Sequence, residues 1–584
     1  MGFKYKDCLP EETISRIQQI FRTINLEVTE LWQNESSLHT FALRLVINGT
    51  NIGTNGKGIT KEYARASAYA EFLERLQNNL LSWNTIDAKK CGCNFRFAPD
   101  EKIVSLEELL AAPMDPFRAF YEDKFELTAK TEEEKKNAIY RLHRIDFIRY
   151  GLEREFITLP FKSLRTEEIK YLPLSIYRKV YGSNGMCAGN SKYEALVEGL
   201  SEIMERWIQK RIITEKPVLP DVPISYLQRY EDLYQIFYSI KENKDYTCFL
   251  KDCSFGEGWP VAGLVIIKKN TGRYGIKLGC HPDYAIAIER AFTESSQGQD
   301  VYEYSDRSWL DLTNQSLEKT FNISNSYKIG LAQYPYQLFE EKTSWEFKEC
   351  TDITELDNEQ IFTLYTNKMI DKGYDVLIRD VSWLGFPSYH IIIPGFSEMT
   401  EISKTWYKAL NTKLYVTELL KEPENIQKEQ IPVIRSSFQY FSGSIMDNEL
   451  SSYVPQYDLS LFPYEKYHKG GNYMMALCYY MEGDYKSAKK QFQYLYRCCN
   501  PNASEASQAL LLMYLCEAMD TYQNIEVSAK YLNIFFDREK VETVVRSLKN
   551  QTKVLPNLFT KQIMQNTEEN RYEDLLFCVY RKFG

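Results

Sequence analysis

The sequence predicts an α+β fold followed by an all-α, tetratricopeptide-like C-terminal domain. Three observations support the division into two domains and the helices predicted in each. The 584 residues are too many for one hydrophobic core. A helical segment with one shared pattern occurs three times before residue 300, and a helical sequence follows a polar stretch with two prolines at residues 421–432. We therefore expect one domain at residues 1–425 and a second at residues 426–584.

The composition is that of a globular protein with little affinity for nucleic acid. Hydrophobic residues make up 44% of the chain and charged residues 26%, and an aromatic content of 14% argues against extended disorder. The formal net charge of −9 disfavours general binding to nucleic-acid phosphates. We expect no direct nucleic-acid partner.

Neither a membrane span nor a disulfide framework is indicated. No apolar run approaches the roughly 18 residues that span a bilayer, and the opening MGFKYKDCLPEE lacks the apolar region of a signal peptide. The 13 cysteines are scattered and odd in number, which favours reduced thiols. We expect a cytoplasmic protein without a membrane partner.

Residues 183–206, SNGMCAGNSKYEALVEGLSEIMER, place four glutamates on one helical face. At about 100° per residue they fall within about 80° of one another, opposite an apolar face that runs from Leu196 to Trp207. The four are Glu194, Glu198, Glu202 and Glu205. Like charges at this spacing destabilise a helix by roughly a few tenths of a kcal/mol per pair. Other groups must therefore offset this charge.

Two further segments repeat the pattern: residues 54–75, TNGKGITKEYARASAYAEFLER, and residues 281–297, HPDYAIAIERAFTESSQ. In each of the three, an alanine precedes a glutamate by seven residues, and an acid or amide follows that glutamate three residues later. The sets are Ala64, Glu71 and Glu74; Ala195, Glu202 and Glu205; and Ala287, Glu294 and Gln297. Helix-capping candidates precede the segments: Thr60, Asn190 or Ser191, and Asp283.

The recurrence predicts one site where three helices meet. Glycine-bearing loops and helix N-termini suit phosphate oxygens, while carboxylates further along the helices suit magnesium. Arg206 and Arg290 add fixed positive charge for the same phosphates. The alternative is a solvated acidic face with a routine ion pair between Glu202 and Arg206. The threefold recurrence favours the site.

These segments, together with DVSWLGFPSYHIIIPGFSE at residues 380–398, resemble the YcaO family. The resemblance covers essentially the whole chain. It implies an ATP-binding domain of mixed sheets and helices, with ATP and Mg2+ as cofactors and without a P-loop. The lysine of NGKG, Lys57, is indeed followed by glycine rather than by serine or threonine.

The resemblance also implies the ligands, position by position. Residues 1–60 would close over the nucleotide. The implied ATP ligands are Lys6, Thr13, Arg16, Glu74, Cys187, Asn190, Glu194, Arg206 and Arg290. The implied metal ligands are Glu71, Glu74, Glu202, Glu205 and Glu294.

Two positions need separate treatment. Cys187 stands where the family has serine or alanine, which puts a side-chain hydrogen bond there in doubt because a thiol is a weak donor. Glu198 is not required by the family. Helical geometry alone adds it, either as support for a neighbouring ligand or as an exposed residue.

The resemblance favours the stand-alone, accessory branch of the family. Members that build azolines end in a proline-rich PxPxP tail, whereas this chain ends in LLFCVYRKFG. The expected partners are a radical methylthiotransferase, a ribosomal protein or a peptide substrate. The alternative function is an ATP-dependent enzyme that activates a peptide-backbone amide oxygen by phosphoryl transfer.

The C-terminal region contains one tetratricopeptide-like unit. Ala476, Tyr479, Gly483, Ala488 and Phe492 have the spacing of such a repeat, and Pro501 follows near its end. One unit cannot bury its apolar face alone, so it should pack on neighbouring helices. A helical cap, a homodimer contact and a protein-docking surface are all compatible with this pattern, and a homodimer is expected.

Overall fold

The protein forms two compact units. Its structure, a computed structural model, describes residues 5–33, 36–50, 52–81, 87–111, 130–297, 299–319, 321–400, 403–444, 447–454, 464–549 and 579–583. Unit 1 comprises Met1–Glu401 together with Glu568–Gly584, and unit 2 comprises Ile402–Thr567.

This division differs from the expected one in two ways. The polar stretch at 421–432 lies inside unit 2, because Ile426 and Ile431 are buried in its core. The chain also returns to unit 1 after unit 2. There Val579 and Tyr580 are buried, and the Tyr580 hydroxyl donates a hydrogen bond to the side-chain oxygen of Asn79. A boundary predicted from composition cannot detect either contact.

Unit 1 is α+β, as predicted. Its longer helices are α1 (Pro10–Thr23), α2 (Lys61–Gln77), α3 (Glu132–Tyr150), α4 (Lys192–Glu215), α5 (Glu231–Lys241), α6 (Tyr284–Ser295), α7 (Asn322–Ile329) and α8 (Asn358–Asp371). Its strands are β1 (Val28–Trp32), β2 (Phe41–Ile47), β3 (Gly53–Gly58), β4 (Lys102–Val104), β5 (Phe156–Ser163), β6 (Ile169–Pro173), β7 (Met186–Ala188), β8 (Tyr246–Asp252), β9 (Val261–Lys268), β10 (Arg273–Cys280), β11 (Ser308–Trp309), β12 (Leu377–Asp380) and β13 (Ser388–Ile392).

The strands form three sheets, in the orders β1-β2-β3, β11-β10-β9-β8, and β4-β5-β12-β13-β7 with β6 paired to β5. Pairings between the described strands are antiparallel rather than mixed, so that part of the expectation was wrong. Short connections explain much of this, since consecutive strands such as β8, β9 and β10 pair as hairpins.

The recurring alanines mark close packing of a helix on the strand before it. A Cβ added to Gly56 of β3 would lie 2.2 Å from the Ala64 carbonyl oxygen of α2, and one added to Gly279 of β10 would lie 2.2 Å from that of Ala287 in α6. Gly189, just after β7, meets Ala195 of α4 in the same way, at 2.8 Å from its nitrogen. Only small residues permit this approach. The repeated pattern therefore reflects a repeated strand-turn-helix arrangement.

Helix α4 has the two faces predicted for it. Leu196, Leu200 and Ile203 are buried in the core of unit 1, and Trp207 is half-buried beside them. On the other face Glu194 is buried, whereas Glu198, Glu202 and Glu205 are half-buried. The acidic face is therefore not a freely solvated surface.

Unit 2 consists of helices in the part of it that the structure describes. The longer ones are α9 (Lys404–Lys421), α10 (Ile431–Phe441), α11 (Gly470–Met481), α12 (Tyr485–Cys498), α13 (Ser504–Tyr522), α14 (Ile525–Leu532) and α15 (Arg538–Lys549). Ala476, Ala488 and Phe492 are fully buried in their common core. The helix pair α11 and α12 spans the predicted repeat, and its tetratricopeptide-like character stays a prediction.

Among the described helices, none combines the length and the apolar composition that crossing a membrane would require. Even α4, with 24 residues, carries charged side chains along its whole length.

Candidate functional site

The three related helices begin with hydrogen-bonded caps at the predicted residues. The side chain of Thr60 accepts from the Tyr63 backbone before α2, and that of Asp283 accepts from the Ala285 backbone before α6. Ser191 rather than Asn190 caps α4, accepting from the Glu194 backbone. This leaves the Asn190 side chain for other contacts.

Those contacts bring the N-terminal segment onto the start of α4. The Thr13 hydroxyl donates to the Asn190 side-chain oxygen at 2.9 Å, and Arg16 donates to the Asn190 carbonyl at 3.2 Å. Glu194 accepts from the Asp7 backbone at 2.9 Å and lies 3.6 Å from the Lys6 ammonium. All five residues predicted in these two segments therefore meet at one point.

Glu198 lies one turn further along α4 and joins two cations. The Arg290 guanidinium donates to its carboxylate, and the Lys6 ammonium lies 3.8 Å from it. These cations hold the pKa of Glu198 at about 2 although burial alone would raise it. Of the two alternatives for Glu198, the structure supports contact with neighbouring predicted ligands.

Glu202 is oriented by a loop that only glycine can form. Gly185 has a φ of +82°, and a Cβ there would lie 2.3 Å from the Ile391 carbonyl oxygen. Its backbone N–H donates to Glu202 at 2.9 Å, while Arg206 pairs with the same carboxylate at 2.7 Å. The ion pair considered as an alternative thus exists, inside a larger cluster.

Glu205 of α4 and Glu294 of α6 interact electrostatically across the two helices. Burial, and then repulsion from Glu294, raise the pKa of Glu205 to about 7. Glu294 has the opposite shift, because Lys57 and Lys277 stabilise its charge and bring its pKa to about 2. Lys57 donates to Glu294, and the Lys277 ammonium lies 3.6 Å from it.

Helix α2 contributes an acid pair with its own cation. Arg75 lies 3.3 Å from the Glu74 carboxylate and 3.6 Å from that of Glu71. Burial raises the pKa of both glutamates, and repulsion from Glu202 adds to it. The acids of α2 and α4 therefore share one electrostatic environment.

Three cations of this cluster were missed as candidates from the sequence: Lys57, Arg75 and Lys277. Lys277 is a lysine between the buried Ile276 and Leu278 of β10, and this misplaced charge is the signal that could have identified it. Arg75 follows Glu74 directly, as Arg206 follows Glu205, and this recurrence could have identified it.

Cys187 is part of the packing beside the site. Its side chain is fully buried, its thiol donates to the Tyr389 carbonyl at 3.5 Å, and burial raises its pKa well above the usual range. A Cβ at Gly199 would approach its sulfur to 2.8 Å, so α4 packs directly on it. The thiol is thus engaged inside the protein, in line with the doubt about a side-chain hydrogen bond there, and a backbone contact of Cys187 with the nucleotide stays a prediction.

Cys280, the last residue of β10, and His281 lie just before α6 and make hydrogen bonds to α6 and its cap. The Nδ1 atom of His281 accepts a hydrogen bond from the Asp283 backbone at 2.9 Å. Cys280 uses its carbonyl to accept from Arg290 at 2.9 Å, and its side chain is fully buried. Both residues position the start of α6.

The donor set fits magnesium in its chemistry. The cluster offers carboxylate oxygens, which are hard ligands that Mg2+ prefers, and mutual repulsion that a divalent ion would relieve. Within the described residues, however, no three His, Cys, Asp or Glu side chains already stand in a metal-binding arrangement. Glu71, Glu74, Glu202 and Glu294 instead form ion pairs with lysine or arginine, so a metal ion at these carboxylates would have to exchange with the cations.

Known proteins resemble this chain over most of its length. A family model described as YcaO cyclodehydratase, ATP- and Mg2+-binding, matches residues 55–397. The chain is 29% identical over 415 residues to the ribosomal protein S12 methylthiotransferase accessory factor YcaO of Escherichia coli, covering 69% of this chain and 67% of that protein. It is 26% identical over 423 residues to an uncharacterized protein of Haemophilus influenzae, covering 72% and 70%.

Two solved structures are more distant. One is a heterocyclase in complex with substrate and cofactor, with 18% identity, a TM-score of 0.44, and coverage of 68% of this chain and 54% of that one. The other is YcaO from Methanopyrus kandleri bound with AMPPCP and Mg2+, with 18% identity, a TM-score of 0.38, and coverage of 67% and 92%. Because the family model spans more than half of the sequence, including all three related helices, the chain belongs to the YcaO family.

Proposed function

We propose that the chain binds ATP together with magnesium where α1, α2, α4 and α6 approach one another. The observation that carries this proposal is the convergence of carboxylates from three helices with lysines and arginines at one place. The description of the family as ATP- and Mg2+-binding supports it.

The roles that we propose are those that the resemblance to the family implies. We assign Lys6, Thr13, Arg16, Asn190, Glu194, Arg206, Arg290 and Glu74 to the nucleotide, with the backbone at Cys187. We assign Glu71, Glu74, Glu202, Glu205 and Glu294 to the metal. Bound magnesium supplies positive charge to the phosphate oxygens. The arginines add donors of fixed geometry, and α1 brings Thr13 and Arg16 over the start of α4.

The physiological role that we propose is that of an accessory factor for methylthiolation of a small-subunit ribosomal protein by a radical methylthiotransferase. The similarity to the E. coli accessory factor supports this role. The test is to express the chain in an E. coli strain that lacks its own accessory factor and to weigh intact ribosomal protein S12. Restored methylthiolation is expected. Unrestored methylthiolation, with the chain present at normal levels, would contradict the role.

The second candidate is an enzyme that activates a peptide-backbone amide oxygen with ATP. The cyclodehydratase description of the family model favours it. An amide oxygen is a poor leaving group, and its phosphorylation would remove that barrier, with catalysis supplied by positioning and charge stabilisation. Peptide-dependent phosphate release distinguishes this enzyme from an accessory protein, for which only slow release is expected.

Unit 2 would then serve assembly. Its helices offer a surface for the methylthiotransferase, the ribosomal protein or a second copy of the chain, and we propose a homodimer. Light scattering of the full chain measures the mass of the assembly directly.

A further inference from the structure

Glu198 contacts two cationic side chains, Arg290 and Lys6, that we assign to nucleotide binding. Its carboxylate accepts from Arg290 and lies 3.8 Å from the Lys6 ammonium. We assigned both cations to the nucleotide, and as positive charges they suit its phosphates, whereas Glu198 was assigned neither to the nucleotide nor to the metal. A carboxylate of the chain therefore holds the groups that would contact a phosphate.

The glutamate one turn earlier is held very differently. Glu194 is 5% exposed and accepts from the Asp7 backbone at 2.9 Å and from the Asn190 amide at 3.2 Å. The side chain of Glu198 is 41% exposed, and its partners in the described part of the chain are two cationic side chains. Backbone and amide donors fix Glu194 in place, with Lys6 as a further contact at 3.6 Å, whereas Glu198 depends on lysine and arginine side chains, which can change partners. Glu198 is thus bound by exchangeable contacts.

Among the described residues, Arg290 is held by a backbone group on one side and by a carboxylate on the other. Its Nη1 atom donates to the Cys280 carbonyl at the end of β10 at 2.9 Å, and its Nη2 atom donates to Glu198. The carbonyl belongs to a paired strand and keeps its place. The Nη2 side is where a carboxylate and a phosphate compete, because both are anionic acceptors of the same N–H groups.

We propose that Glu198 is an internal competitor for the phosphate groups of the nucleotide and lowers the affinity of the site. This inference rests on the proposed function for the assignment of Lys6 and Arg290. If Arg290 leaves Glu198 to contact a phosphate, the free energy of the lost ion pair reduces the affinity for the nucleotide. If Arg290 keeps it, the carboxylate repels the phosphate nearby. Loss of the negative charge at position 198 therefore tightens binding in both cases.

The test variant is Glu198→Gln, which keeps the shape and an acceptor oxygen for Arg290 but removes the charge. We expect calorimetry with AMPPCP and Mg2+ to show a Kd about three- to tenfold lower than that of the natural sequence. The matched control is Glu215→Gln on the same helix. Glu215 accepts from Arg211 at 2.6 and 3.1 Å, so the control makes the same charge change in another arginine pair and should leave the Kd unchanged.

An unchanged or higher Kd for Glu198→Gln would overturn the proposal, since a metal ligand or a residue that positions Arg290 would weaken binding when neutralised. Glu198→Ala must shift the Kd in the same direction. A second measurement follows the melting temperature as inorganic pyrophosphate is added. The melting temperature of Glu198→Gln should rise at a lower pyrophosphate concentration than that of the natural sequence. If the natural sequence fails to bind AMPPCP while this response is seen, the proposed function fails and the competition stands. Equal responses to pyrophosphate would reject the competition itself.

Discussion

Both units have apolar cores, but among the described residues charged side chains are buried in unit 1 and not in unit 2. In unit 1, carboxylates from α2, α4 and α6 lie with lysines and arginines between packed helices. In unit 2 the core is apolar, with Phe438, Leu477 and Phe492 among its buried residues, and ion pairs such as Arg538 with Glu542 lie on the surface.

This difference separates what function requires from what stability requires. Partly buried ion pairs contribute little net stability, because removing charges from water costs about as much as their attraction returns. An apolar core contributes directly through the area that it removes from water. The core of unit 2 therefore serves the stability of its fold. The charged cluster of unit 1 adds little stability, and binding of a ligand would explain why it is present.

The largest expected effect tests the cluster. Glu205→Gln removes a carboxylate proposed to bind magnesium, and we expect it to abolish detectable binding of AMPPCP with Mg2+ in calorimetry. The same change removes the Coulomb repulsion between Glu205 and Glu294, so the melting temperature measured without nucleotide should rise.

The control is Glu542→Gln in unit 2, which neutralises one partner of an exposed ion pair. Neither the affinity nor the melting temperature should change measurably, because exposed pairs contribute little. Normal nucleotide binding by Glu205→Gln would show that this carboxylate is not a ligand.

The next prediction tests the apolar core of unit 2. Phe492→Ala removes a fully buried ring from the core of unit 2 and should lower its free energy of unfolding by about 3–5 kcal/mol. Hydrogen exchange followed by mass spectrometry localises the loss, which we expect in α11, α12 and α13. The Kd for AMPPCP should stay the same. A weaker Kd would show that the two units do not act separately in nucleotide binding.

A smaller effect concerns pH in unit 1. His390 is fully buried, its Nε2 atom lies 3.0 Å from the Asn184 carbonyl, and its Nδ1 atom has no hydrogen-bond partner among the described residues. Burial, with a smaller contribution from Arg379, lowers its pKa to about 3. In the unfolded chain His390 has a pKa of about 6.5, so as the pH falls it is protonated there before it is protonated in the folded protein.

The contribution of neutral His390 to the free energy of unfolding is therefore complete above about pH 6.5 and is lost progressively as the pH falls toward 3. Between pH 7 and pH 5 the loss amounts to about 2 kcal/mol. Denaturant unfolding at both pH values, compared with His390→Gln, isolates this group, because other titrating residues are common to both proteins. Equal pH dependence in the two proteins would contradict the assignment.

The sequence predicted the helical parts of the site well because they obey local rules. Caps at Thr60, Ser191 and Asp283 and the apolar face of α4 follow from residue type and helical period. The family was confirmed, and with it the α+β class. These features depend on residues that are close together in the sequence.

What the sequence missed depends on distant contacts. Lys57 meets Glu294 across 237 positions, and nothing local to NGKG indicates that partner. The thiol of Cys187 is turned toward Tyr389, 202 positions away, because β7 pairs with β13. Ile426 makes a polar, proline-bearing stretch part of a core. Such pairings are set by the packing of sheets and helices, which helical periodicity does not encode.

The return of residues 579–583 to unit 1 has a consequence for the order of events during synthesis. The ribosome makes α1, α2 and the sheets first, then all of unit 2, and only afterwards Val579 and Tyr580, which are buried beside Phe72 and Asn79. Domains generally fold as they emerge. Here unit 2 has time to fold while unit 1 still lacks these final contacts. A nascent chain stalled before residue 579 should therefore expose the hydrophobic surface around α2 to chaperones and proteases, although the ribosome has already synthesised all of unit 2.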